Sequence, residues 1–152
     1  GGRLEIPFAC VAPKGAHKVE ILATGSHGPE VVANFPVYCG AEPPRVLSYE
    51  TESLDPNISI DEVAQANFDY LNAERKSKGL PPLIWDDKIS AIARGHSNDM
   101  VRSGFVGHVS PTTGDVAQRF RTAKIESVVT RENVARGYGP KGIHESLMNS
   151  PG

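Results

Sequence analysis

Apolar positions recur at every second residue in the first two of three segments within residues 1–40. Leu4, Ile6 and Phe8 alternate with Arg3, Glu5 and Pro7 in RLEIPFACVAP, the period of a strand with one buried face. HKVEILATG continues the alternation through Val19, Ile21 and Ala23. EVVANFPVYCG is a β-branched run closed by glycine, and SHGPE supplies the turn between the two. The pattern predicts a three-stranded meander. Three strands rarely bury enough apolar surface to stand alone. Residues 1–40 are therefore expected to be a partial immunoglobulin-like β-sandwich module, completed by residues upstream or by another chain.

The period changes after GAEPPRVLSYETESLDPN, whose prolines and acidic residues read as a linker over residues 41–57. Beyond it, apolar residues fall at helical spacing. One helix is expected to open at Ser59, with Asp61 and Glu62 complementing the positive end of its dipole. Val63, Ala66, Phe68 and Leu71 form its stripe, and it ends near Gly79. A second helix is capped by Asp86 or Asp87. Its Ile89, Ile92, His96 and Met100 share one face, which puts His96 among core positions. TTGDVAQRFRTA suggests a third helix and GIHESLMNS a fourth; KIESVVTRENVARG, between them, mixes β-branched residues with a polar interruption. The pattern is α+β, with a β-module at 1–40 and a helical unit at 58–152.

Composition narrows the class. At 39% hydrophobic and 22% charged, the 152-residue chain matches a folded globular protein rather than a disordered one. A net charge of -2 lacks the basic excess used for nonspecific nucleic-acid binding, so no nucleic-acid partner is expected. No apolar run approaches the ~20 residues of a membrane span, and Gly1-Gly2-Arg3 does not begin a signal peptide, so any export signal has been removed. Cys10 and Cys39 lie at the ends of strand-like segments. A disulfide between them is sterically feasible and would contribute roughly 3–4 kcal/mol by chain entropy; two buried thiols are the alternative.

The candidate chemistry centres on SGFVGHVSP. Gly104, Gly107 and the Ser110-Pro111 pair make this stretch a turn, which holds His108 on a backbone bend within reach of water. That setting suits a ligand or an acid–base group.

Residues LNAERKSKGLPPLIWDDKISAIARGHSNDM, GFVGHVSPTTG, RF, RENVARG and LMNSPG, in that order over about 60–152, resemble the bacterial branch of the CAP superfamily, whose shared unit is also called the SCP domain. The resemblance implies an α-β-α sandwich, of which this chain holds the helical first part, with a cleft lined by two histidines and two acidic residues. His108 matches the first cleft histidine. Glu132 in RENVA matches the first cleft acid, carried on a strand in the family. An imidazole and a carboxylate are compatible ligands for a divalent metal such as zinc, and equally a base with its orienting partner. The second acid matches Ser150, with Glu145 nearby on a different helix face. The second histidine belongs to a later strand that has no counterpart here.

On the same resemblance the later strands of the central sheet are absent, so the apolar helix faces would lie open to water and a companion chain or further segment is expected to complete the sheet. His144 has no matched role, and Arg119 is read as an ion-pair partner rather than a substrate clamp. Glu132 could instead pair with Arg131 or Arg136. Three function classes follow. One is a secreted or extracytoplasmic binding module whose cleft takes a metal ion, lipid or small ligand. Another is a hydrolase using His108 and Glu132, with Ser110 the nearby hydroxyl. The last is a structural or adhesive cell-surface protein. The incomplete acid–base set favours binding over catalysis.

Overall fold

The structure, a computed structural model, describes residues 3, 5–11, 13–46, 55–137 and 139–150. Leu4, residues 47–54 of the expected linker, and Pro151-Gly152 lie outside them.

Strands β1 (Gly15–Gly25) and β2 (Gly28–Cys39) pair antiparallel, from Gly15 opposite Cys39 to Gly25 opposite Gly28. Ser26 and His27 form the two-residue connection. Gly28 follows with φ of 89°, a conformation that favours glycine and closes the tight turn. The register shifts by one residue between Ile21 and Leu22, a bulge that interrupts the alternation read from sequence.

Among the described residues the expected third strand is not formed. Residues 5–11 are irregular, with Ile6 and Phe8 62% and 54% exposed. Alternation alone does not make a strand; a ladder partner is required, and Pro7 and Pro13 remove two of the donors such a ladder would use. The segment is instead tied to the end of β2 by a disulfide between Cys10 and Cys39, with Cα atoms 5.4 Å apart. Among the described residues the N-terminal module is thus a hairpin with a cross-linked arm.

Helix α1 (Ile60–Ser77) begins where the sequence indicates. Ser59 Oγ accepts the Glu62 N–H at 3.1 Å and Glu62 Oε2 accepts the Ser59 N–H at 2.8 Å, a reciprocal capping box. It ends at Lys78, with Gly79 left-handed at φ of 69°. Asn72 then clamps the return of the chain through both the N–H and the C=O of Leu83, and Trp85 packs edge-on against Phe68 with ring centroids 5.2 Å apart.

Helix α2 (Asp87–Ser103) is capped by Asp86, whose carboxylate accepts from the N–H groups of Lys88 and Ile89. Helix α3 (Val116–Thr122) is shorter than the expected stretch. Ser110 and Gly114 exchange backbone hydrogen bonds and close a turn ahead of it, and Asp115 makes the cap. Helix α4 (Pro140–Asn149), opened by Pro140, packs against α1, where His144 stacks on Tyr70. Residues 125–137, including RENVA, run without regular structure, so the strand implied for Glu132 is absent among the described residues.

The buried set is more polar than a usual core. Among the described residues Phe105, Cys39 and Pro140 are its apolar side chains, beside His96, Asp99, Ser110 and Arg119. Four of these seven belong to α2 and the loop after it, the region that carries His108. Elsewhere large apolar side chains face out: Ile84 is 91% and Val101 83% exposed.

Candidate functional site

The loop bearing His108 is fixed from below by a buried carboxylate. Asp99, one turn before the end of α2, points at the turn 110–114. Its Oδ2 accepts the hydroxyl protons of Ser110 and Thr112, the latter at 2.7 Å, and Oδ1 accepts from Ser103 at 3.3 Å. Ser110 Oγ in turn accepts the N–H groups of Thr112 and Thr113 at 3.0 and 2.9 Å. These hydroxyl donors, Ser110 foremost and then Thr112, hold the Asp99 carboxyl below the usual carboxylate range against the opposing effect of burial. His96, three residues earlier on the same face, places Nε2 2.8 Å from the Gly107 carbonyl oxygen, so this nitrogen carries the proton. Its part is structural, as its place on the apolar stripe implies.

Above this base, His108 and Glu132 come together. Nδ1 of His108 lies 3.2 Å from Glu132 Oε1 although the residues are 24 apart in sequence. The histidine side chain is 36% exposed and the carboxylate 18%. Glu132 pairs through its other oxygen with Arg119, not with Arg131 or Arg136. Arg119 is buried on α3; a second of its nitrogens donates to the Gly114 carbonyl at 2.7 Å and approaches that of His108 at 3.4 Å. A single guanidinium thereby ties the turn, the histidine's backbone and the acid. A carboxylate only accepts, so His108 donates from Nδ1, and in the neutral ring Nε2 is then the acceptor nitrogen.

The remaining candidates are placed elsewhere or otherwise. Glu145 is exposed, 3.9 Å from Lys141 Nζ one turn back on α4. Ser150 is the half-buried C-cap of that helix. Ser110, the hydroxyl nearest His108 in sequence, is 3% exposed and committed to Asp99, so it is not poised as a nucleophile. A surface depression of about 560 Å³, lined by Thr112, Thr113, Gln118, Arg121 and Thr122 among others, lies on the α3 side of the turn; neither His108 nor Glu132 lines it.

A zinc site needs three or four protein donors. Among the described residues no group of three or more His, Cys, Asp or Glu converges to hold a metal. Glu132 also has its oxygens turned to His108 and Arg119. The described residues therefore do not make a zinc site on their own; Glu132 is arranged as an orienting partner of His108, the kind of role carboxylates play behind ligating histidines.

Sequence reading passed over Asp99. Its signal was available: an acid three residues after His96, on the buried side of an amphipathic helix, demands hydrogen-bond donors from outside the helix.

Similarity to known proteins bears on the same residues. The profile of the Cysteine-rich secretory protein family (CAP) matches residues 68–152, which include α2, the His108 loop, Arg119 and Glu132. The chain is 37% identical over 95 residues to the uncharacterized protein YkwD of Bacillus subtilis strain 168, covering 62% of this chain and 37% of the relative. It is 34% identical over 119 residues to the uncharacterized membrane protein YlbC of the same organism, covering 72% and 34%. In structure it resembles an extracellular protein containing a SCP domain from Bacillus anthracis strain Ames, with a TM-score of 0.55 and 28% identity over 63% of this chain and 35% of that one. The chain thus spans about a third of the length of these relatives. With more than half of its residues matched by the family profile, this chain belongs to the CAP family of cysteine-rich secretory proteins.

Proposed function

We propose that the chain is an extracytoplasmic CAP-domain binding module whose ligand is met by His108. One observation carries this reading: a part-exposed imidazole donates from Nδ1 to Glu132, itself held by buried Arg119, which makes Nε2 the acceptor nitrogen of the neutral ring. Such a group accepts a hydrogen bond from a hydroxyl or amide of a small molecule or lipid head. Val106, 43% exposed two residues away, offers apolar area to a chain. A divalent cation would find one donor here and would need others from beyond the described residues.

Binding is favoured over hydrolysis because Ser110 is buried against Asp99. Location outside the cytoplasm is supported by the Cys10–Cys39 disulfide and by the extracellular relative from Bacillus anthracis; no helix among the described residues is long and apolar enough to cross a membrane. The immunoglobulin-like character of residues 1–40 has the β1–β2 hairpin as its support.

Calorimetry with monooctanoylglycerol, a hydroxyl-headed lipid, and separately with zinc chloride tests the reading on wild type, His108→Ala and Glu132→Gln. Saturable lipid binding that both substitutions weaken is expected. Tight zinc binding lost in the same variants would replace the lipid reading with a metal one, and identical heats in all three proteins for both probes would refute a site at His108.

A further inference from the structure

We propose that the tip of the N-terminal hairpin is a positioning strap for His108, with His27 as the positioning residue. Three interactions join the two. The His27 carbonyl oxygen accepts two consecutive N–H groups, those of His108 and Val109, each at 2.9 Å. The His27 ring donates from Nδ1 to the Val109 carbonyl at 3.0 Å, since a carbonyl only accepts. The same ring stacks on Phe105, the buried aromatic at the start of the loop, with centroids 4.5 Å apart and planes 21° from parallel.

The surfaces are shaped for this approach. A Cβ on Gly107 would stand 2.8 Å from both the Cβ and the carbonyl oxygen of His27, and one on Gly28 would meet Val109 Cγ2 at 3.3 Å. Gly107 is not left-handed, so its lack of a side chain answers to the hairpin and not to backbone geometry. The hairpin is held at a second point, where Lys18 Nζ donates to Asn149 Oδ1 at the end of α4. Its far end is cross-linked by Cys10–Cys39.

The consequence follows from where the bonds fall. Asp99 and Arg119 fix the turn after His108, while the backbone N–H of His108 itself is satisfied by the strap. Without the strap two adjacent N–H groups lose their acceptor, and Phe105 loses its stacked partner and keeps the tilted His96 ring 6.0 Å away. The loop between Gly104 and Ser110 then keeps its ties at the carbonyls of Gly107 and His108 but loses those on its N–H side, which loosens the hold on the imidazole beside Glu132. This inference deepens the reading of His108 as a site residue, but its readouts need no ligand, so the two fail separately.

The test is made on the full chain with Gly107→Ala, which adds only a methyl where His27 sits, and with His27→Ala, which removes the ring contacts. Helix content by circular dichroism reports folding. Amide exchange at His108 and Val109 is expected to accelerate by roughly tenfold or more, and the ring resonances of His108 to shift toward those seen in Glu132→Gln. His27→Phe, which keeps a ring against Phe105, should recover part of both effects. Unchanged exchange would show that the tip is not docked; faster exchange with unmoved His108 ring resonances would show a contact that does not position. Either result in Gly107→Ala overturns the proposal, and if that variant does not fold, the His108 ring resonances of His27→Ala decide, since this change keeps the carbonyl acceptor and removes the ring: unmoved resonances overturn it.

Discussion

His108 and Glu132, 24 residues apart, meet at 3.2 Å because Arg119 stands behind the acid. A lone carboxylate 18% exposed would be costly to hold beside a half-buried ring; the guanidinium beneath it makes the placement stable, and the same guanidinium anchors Gly114. The site is thus built from the protein outward: α3 supplies the cation, the irregular segment 125–137 the acid, and the loop after α2 the imidazole.

Replacing Arg119 by Met leaves Glu132 partly buried without its counter-charge. A loss of about 3 kcal/mol is expected, in the range for breaking one side of a buried pair. Urea unfolding of Arg119→Met, Glu132→Gln and the double variant measures it. The double variant should lose less than the sum of the two singles; additive losses would mean the two residues do not act together.

Asp99→Asn tests the base of the loop through its pH dependence. The Asp99 carboxyl titrates below the usual carboxylate range in the folded protein. The unfolded chain therefore binds the proton more readily, and the stabilisation is present above the ordinary carboxylate range and disappears as pH falls through the lowered folded value. Unfolding midpoints followed from neutral to strongly acid pH should show a gap between wild type and Asp99→Asn that narrows on acidification. A gap independent of pH would assign the effect to shape instead of charge.

The disulfide closes a separation of 29 residues around the hairpin. Substituting both Cys10 and Cys39 by Ser is expected to cost the hairpin roughly 3–4 kcal/mol on a chain-entropy basis, with the helices retained because the cross-link touches none of them. Amide exchange in β1 and β2, compared with that in α1, resolves the two parts. Equal destabilisation of hairpin and helices would show one cooperative unit.

What could be read in advance followed the range of each interaction. Caps are local, so Ser59 and the pair Asp86-Asp87 could be read from sequence; the structure adds the Ser59–Glu62 capping box and selects Asp86. The period-two pattern marked β1 and the β-branched run marked β2, but alternation also marked residues 3–13, whose described members pair with no strand among the described residues. The strand that the resemblance implied at Glu132 is likewise not formed among the described residues. The meeting of His108 and Glu132 rested on the family resemblance, since nothing in a separation of 24 residues specifies a contact. His27 gave no sign at all: a histidine in a two-residue turn is ordinary, and only the fold brings it against Phe105 and Val109.

The tautomer of His108 probes the arrangement most directly. In a 15N-resolved ring spectrum recorded where the imidazole is neutral, wild type is expected to carry its proton on Nδ1, facing Glu132, with Nε2 bare; Glu132→Gln should lose that bias. A proton found on Nε2 in wild type, unaffected by the substitution, would contradict the acceptor nitrogen on which the proposed binding role depends.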